Sequence, residues 1–395
     1  MHPLDWQEMD EHILGSLRER VEAVVGQVTK LRQRLHSEPE IGLDTVRTAE
    51  RIRSDLAATS LDVWEPLLGN DVIGELNGRS DRTVCLRADT DALPIQEESD
   101  LAYKSKPAGL MHACGHDGHA AMLAGAVLVL DSLQAHLRVN VRFVFQPGEE
   151  VICAGKMLVA RGACDNCEAA YAIHGWPGLP AGCVSTREGP LFAAGGHFVI
   201  RVKGKGCHGA LPEKGNNPIP AAARIVERLQ RMYVEMNALD GTVISCCAFH
   251  SGNGSNVIPD AAVVRGTARW VRPETGDAVE KAIRDLGQHV AGETRTGVEV
   301  DYDRSYDLPV VNTKKGCRLV RQLAEDHLPA GAWREAAHIN MTMEDFAYYL
   351  KGREGAMILL GLGEAAPELH SPSFDFNDDV LGTGILILCL IALSS

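Results

Sequence analysis

Three short apolar runs each deliver a chemically capable polar group at their far end, and that pattern restricts the folds open to this chain. Val84-Cys-Leu86 is followed by Asp89 and Asp91, Val139-Asn-Val-Arg-Phe-Val-Phe145 by Glu149 and Glu150, and Ala169-Ala-Tyr-Ala-Ile173 by His174. Helical stretches such as 120–137 separate them, and Met357-Ile-Leu-Leu360 supplies a fourth run. Strands alternating with helices predict an α/β layer on a largely parallel sheet. Open sheets of this kind place ligand sites at the carboxyl ends of their strands, so these groups are expected to converge on one crevice.

What the crevice holds is suggested by His112-Ala-Cys-Gly-His-Asp-Gly-His119, which packs three imidazoles, a thiol and a carboxylate into eight residues. Metal coordination is the natural common purpose of such a set. Structural zinc sites keep their ligands in tight local pairs, whereas here further acidic and imidazole groups recur far along the chain, as far as His370. A catalytic metal site gathered by the fold is therefore expected.

The rest of the chain reads as support for that site. Residues 9–35 and 45–56 carry apolar positions near a 3.6 period and predict amphipathic helices, with His36-Ser-Glu-Pro-Glu40 stopping the first. From 192 to 303 two long helical stretches alternate with amphipathic strands, the pattern of a β-α-β-β-α-β unit of ferredoxin-like type. Two domains follow: a catalytic metal-binding domain of residues 1–190 and 304–395, and an inserted lid or dimerisation domain of residues 191–303. The apolar run Ile385–Leu393 is too short to span a bilayer and is expected to be a buried terminal helix.

Composition excludes several functions. The net charge of −14, with basic residues scattered singly, argues against nucleic-acid or anionic-membrane partners. The first ten residues lack the features of a secretory signal, and eleven thinly spread cysteines do not form a disulfide framework, so a cytoplasmic location is expected. Cys164-Asp-Asn-Cys167 has redox or zinc spacing but no second pair, and is read as a loop of inert thiols.

Taken in order, His36–Glu40, Arg87-Ala-Asp-Thr-Asp-Ala-Leu-Pro94, His112–His119, Gln146-Pro-Gly-Glu-Glu150, His174-Gly-Trp-Pro177, Gly204-Lys-Gly-Cys-His208, Asn256-Val-Ile-Pro-Asp260, Glu344-Asp-Phe346 and the stretch 369–378 run across nearly the whole chain. In these motifs the sequence resembles the bimetal amidohydrolase branch of the aminoacylase/carboxypeptidase family, which includes hippurate hydrolases, N-acyl-amino-acid deacylases and indoleacetic-acid–amino-acid hydrolases. The resemblance implies two divalent metals, manganese or zinc with cobalt or nickel as possibilities, held by Cys114, His116, Glu150, His174 and His370, with Cys114 as the bridge. It implies that Glu149 is the general base that draws a proton from the attacking water and returns it to the leaving amine. Asp91 is expected to orient a ligand imidazole, while Asp89 either takes part directly or only caps the following turn. His119 is expected to support or pack rather than to ligate.

For the remaining roles the resemblance points to the inserted domain. His208 would donate to the developing oxyanion, typically in a partner subunit's site, and Asn256 and Arg269 would grip a substrate carboxylate. A homodimer is expected by analogy. Three positions depart from the family pattern: Glu213 where relatives often have His, Gly148 for the commoner alanine, and Met343 where a small residue is usual. The expected reaction is hydrolysis of an N-acyl or N-aroyl amino acid to a carboxylic acid and an amino acid. Alternatives are a dipeptidase or exopeptidase, an aromatic-amine deaminase with the same site, or a catalytically silent binding protein.

Overall fold

The alternating runs become the centre of an eight-stranded sheet. In the computed structural model, which describes residues 11–395, the strand order is Asp62–Val63, Val72–Leu76, Asn140–Gln146, Thr83–Asp89, Cys167–Pro177, Glu354–Gly363, Val184–Thr186, Trp333–Glu335. The four strands from Asn140–Gln146 to Glu354–Gly363 are mutually parallel. Every residue of Thr83–Asp89 is buried, as a parallel strand covered on both faces requires.

Helices cover this sheet. Glu11–Ser37 buries Leu17, Val21, Val28, Leu31 and Leu35, the stripe expected from its periodicity; Met9 and Asp10, the start expected from sequence, lie outside the described residues. His116–Ser132 starts at His116, four residues earlier than its apolar pattern suggests, and is buried along nearly all its length. The terminal helix Leu381–Ser394 is apolar all round and buried between its neighbours. Among the described residues no helix is long and apolar enough to cross a membrane.

Contacts divide the chain into two units. One comprises residues up to Leu191 together with Val311–His338 and Asp345–Ser395; the other comprises Phe192–Val310 and Ile339–Glu344. In the second, the antiparallel sheet runs Val243–Ser251, Ala261–Trp270, Ala194–Lys203, Gly297–Asp303, with helices Pro218–Asp240 and Pro273–Thr294 packed on it. That order is the ferredoxin-like one, and the unit has its own core around Phe198, Ile225, Val264, Trp270 and Ile283.

Candidate active site

The carboxyl ends of the central strands bring the dispersed donors of the first unit together. Cys114 Sγ lies 3.5 Å from His174 Nε2, and His174 Nδ1 donates to Gly175 O at 2.8 Å. A carbonyl can only accept, so the neutral ring carries its proton on Nδ1 and turns the Nε2 lone pair toward Cys114. Glu150 Oε1 lies 3.9 Å from His116 Nε2 and 3.3 Å from His370 Nε2. His370 sits in a loop with a left-handed φ of 65°, fixed by its amide donating to Ala113 O at 2.7 Å. Among the described residues five groups have donor atoms within 4.8 Å of one another: Cys114, His116 and His174; Cys114, Glu150 and His370; His116, Glu149 and Glu150; Asp89, His116 and His119; and Glu149, Glu344 and Asp345. Cys114 is common to the first two.

Glu149 and Glu150 open a short helix, Glu149–Ile152. The turn before it puts Gly148 at φ 72°, and a Cβ there would meet Ile152 Cγ1 at 3.0 Å, which accounts for glycine where alanine is commoner. Asp91 caps this helix, accepting from Glu149 N at 2.9 Å and Glu150 N at 3.2 Å. Its contact with His116 Nδ1, at 3.6 Å, is longer than a hydrogen bond.

Electrostatically the cluster is short of positive charge. His116 is 1% exposed, yet neither of its ring nitrogens has a hydrogen-bond partner, and Glu150 Oε1 is likewise buried without one. Burial opposes charge on His116, but Asp89, Asp91 and Glu150 outweigh it and hold the imidazole up to about 10. Burial, with Glu150, Glu149 and Asp89, pushes the Cys114 thiol well above its usual range. Orphaned donors and surplus anions in a dry pocket are what a divalent cation would satisfy, and thiolate, imidazole and carboxylate ligands suit that class of ion.

Around the orphaned atoms stands a shell of hydrogen-bonded charges, although His112, packed beside His36, also keeps both ring nitrogens without a hydrogen bond. Asp89 does not cap the following turn: it binds Arg87 Nη1 at 2.7 Å and His119 Nδ1 at 2.6 Å, while His119 Nε2 accepts from Gly175 N at 2.8 Å. Both nitrogens of His119 are thereby committed, and it braces the strand carrying His174. Arg87 also donates to Asp345 and Gln146, and Gln146 Nε2 to Asp345, tying two strand ends to the segment before the short helix Ala347–Leu350. On the other side Arg32 binds Asp117, Asp375 and Asp378, and His36 Nδ1 lies 2.8 Å from Asp117 Oδ2. Arg87, Gln146, Asp345 and Arg32 received no role from sequence; the available signal was an arginine inside an apolar strand.

The second unit holds the other candidates. His208 pairs with Val257 in a two-residue ladder, and Gly209 N donates to Asn256 O at 2.7 Å, so His208 and Asn256 lie side by side and exposed. Ala210 N donates to His208 Nδ1 at 3.1 Å, which leaves the proton of the neutral ring on Nε2, as a donor requires. Glu213 is exposed on the adjoining turn. Arg269 is half-buried and donates from Nη1 to Thr267 Oγ1 and, at 2.9 Å, to Ala268 O. The unusual Met343 faces Gly195, where a Cβ would come within 2.5 Å of its sulfur.

Comparison with known proteins decides the family. The model of Peptidase family M20/M25/M40 matches residues 85–394. The chain belongs to that family. It is a hydrolase, and within the M20 family it resembles the amidohydrolase branch. An IAA-amino acid hydrolase, ILR1-like 2, of Arabidopsis thaliana is 35% identical over 367 residues, covering 91% of this chain and 83% of the relative. An N-acetylcysteine deacetylase of Bacillus subtilis (strain 168) is 33% identical over 354 residues, covering 89% and 92%. Among solved M20 structures, the Bacillus subtilis YXEP protein, a dinuclear metal binding peptidase, superposes with a TM-score of 0.80 at 31% identity, over 95% of this chain and 99% of that one.

Proposed function

We propose that this M20 chain is a metal-dependent amidohydrolase that cleaves N-acyl or N-aroyl amino acids into a carboxylic acid and a free amino acid. The observation that carries the reading is the buried cluster in which His116 and Glu150 keep unpartnered atoms close to Cys114 and beside Glu149. The functions of the relatives, which act on N-acyl amino acids, support the substrate class. In this reading Cys114, His116, Glu150, His174 and His370 hold two divalent ions, zinc by the softness of thiolate and imidazole or manganese by the carboxylate. When bound, such ions lower the pKa of water and polarise a carbonyl.

The chain's own residues supply the proton traffic. Glu149 takes the proton of the attacking water and delivers it to the leaving amine, a role its buried position and its capped backbone support. Asp91 is a positioning residue, holding the first turn in which Glu149 and Glu150 stand. In a homodimer His208 of the inserted unit would offer its Nε2 proton to the oxyanion developing in the partner subunit's site, and Asn256 and Arg269 would take a substrate carboxylate. The inserted unit is proposed as lid and dimerisation domain, and the enzyme as a cytoplasmic homodimer acting on a small molecule, without nucleic acid.

The test is amino-acid release from N-acetyl, N-benzoyl and indoleacetyl amino acids by apo protein reloaded with zinc or manganese. Metal-dependent release that Glu149→Gln abolishes is expected. Protein that holds two metals but releases no amino acid from any of them would overturn the substrate class; preference for a free α-amino group would make it a dipeptidase, and ammonia release a deaminase.

A further inference from the structure

Cys164-Asp-Asn-Cys167 gains a third sulfur and two guanidinium groups in the fold. Cys164 stands in the turn that enters the Cys167–Pro177 strand, where Cys167 N donates to Cys164 O at 3.1 Å and Asn166 takes a φ of 62°. Cys85, on the neighbouring Thr83–Asp89 strand, has its Sγ 3.7 Å from Cys164 Sγ. Arg142 Nη1 lies 3.4 Å from Cys167 Sγ and is anchored there by Asp165 O at 2.7 Å and by Glu75. Arg353 Nη2 donates to Cys164 O at 2.9 Å. Cys85 and Cys164 are fully buried, whereas Cys167 keeps 7% exposure.

Three thiols beside two fixed cations favour a thiolate at one of them. The hydrogen bonds from Cys164 and Cys85 draw Cys167 well below the ordinary thiol range; burial opposes this, and Arg142 and Arg353 assist. Hydrogen bonds with Cys164 and Cys167, with burial, push Cys85 up. The one thiol with solvent access is thus also the one whose anion is stabilised, the combination that marks a reactive cysteine.

We propose that Cys167, Cys164 and Cys85 form a hydroperoxide-reactive modification site, in which Cys167 is the nucleophile, Cys164 closes a disulfide on it and Cys85 holds Cys164 in place. The Cys167 thiolate sulfur attacks one oxygen of hydrogen peroxide, the O–O bond breaks, and the other oxygen leaves as hydroxide that takes a proton from solvent to become water, giving a sulfenic acid. The Cys164 sulfur then attacks Cys167, the S–O bond breaks, and the hydroxyl leaves with the Cys164 proton as a second water. Two thiols lose two electrons to one hydroperoxide. Cys167 opens the Cys167–Pro177 strand and His174 stands seven positions further along it, roughly 23 Å away at about 3.3 Å per residue, so the thiols are separate from the metal-ligand cluster.

The test treats the metal-loaded full chain with hydrogen peroxide, alkylates the remaining thiols and maps the peptides by mass spectrometry. The expected product is a Cys164–Cys167 disulfide, formed at least tenfold faster than oxidation of the exposed Cys246 and Cys247. Cys164→Ser is expected to leave Cys167 as a sulfenic acid that a dimedone probe traps. Cys167 remaining reduced after Cys246 and Cys247 have oxidised, or pairing Cys85 with Cys164 instead, would overturn the proposal. Independently of any variant, iodoacetamide should alkylate wild-type Cys167 at a rate nearly flat from pH 6 to 8, and a rate climbing with pH as for an ordinary thiol would also overturn it.

Discussion

Two buried polar regions lie next to each other in the first unit and differ in one respect. Around Arg87 and around Arg32 the charges meet opposite charges at hydrogen-bonding distance; around His116 and Glu150 buried atoms lack a hydrogen bond and meet opposite charges only at 3.3–3.9 Å. A satisfied buried network holds a fold in one arrangement, while unsatisfied atoms carry a desolvation cost that only a ligand can offset. The partnered shell thus positions, and the unpartnered core binds.

The largest effect should come from the core. Glu149→Gln is expected to lower kcat by roughly 10²–10⁴-fold while metal content and melting temperature stay unchanged, because it removes a proton carrier but keeps the side chain's shape and every proposed ligand. Steady-state kinetics alongside elemental analysis check this, and a matching loss of metal would place Glu149 among the ligands instead. In the shell the signature reverses. Arg87→Met leaves Asp89 and Asp345 buried without their cation and should cost about 3–5 kcal/mol of stability, read by urea unfolding. A loss under about 1 kcal/mol would erase the distinction.

The shell also predicts a pH dependence. Burial opposes charge on His36, but hydrogen bonds to Asp117 and Glu97 hold it up to about 9, and despite burial His36 and Ser99 bring Glu97 down to about 2. The raised group contributes stability fully below its unfolded value near 6.5 and loses it as pH rises through about 9. The lowered group contributes above its unfolded value near 4.5 and loses it as pH falls through about 2. Stability of the apo protein should therefore fall by on the order of 2 kcal/mol between pH 6 and 10, and the His36→Gln variant should show a flatter profile. The smallest effect belongs to the turn between the regions: Gly148→Ala, at φ 72°, should cost about 1–2 kcal/mol and lower kcat by shifting Glu149, and an unchanged kcat would detach the turn from catalysis.

Much of this arrangement is legible in the sequence because strand ends announce themselves. Asp89, Glu149, Glu150 and His174 each follow an apolar run, and the fold does bring those ends together. What stayed hidden has physical reasons. The helix opening at Glu149 spans four residues, too few to show a period, so the capping by Asp91 left no trace in the pattern. Arg87 pairs across 258 positions with Asp345, and Cys85 meets Cys164 across 79, contacts that no local window can register. The tautomers of His174 and His208 depend on which backbone group meets Nδ1, and that is known only once the loops are built.

The central claim is that the unpartnered core holds divalent cations that the partnered shell positions. Its most direct test titrates apo protein with zinc or manganese and follows bound metal and amino-acid release together, in wild type and in His116→Ala. The account predicts two equivalents bound in wild type with activity rising in step, and loss of metal and activity in the variant without loss of apo stability. Full activity in protein stripped of metal, or a His116→Ala variant that binds and works as wild type does, would contradict it.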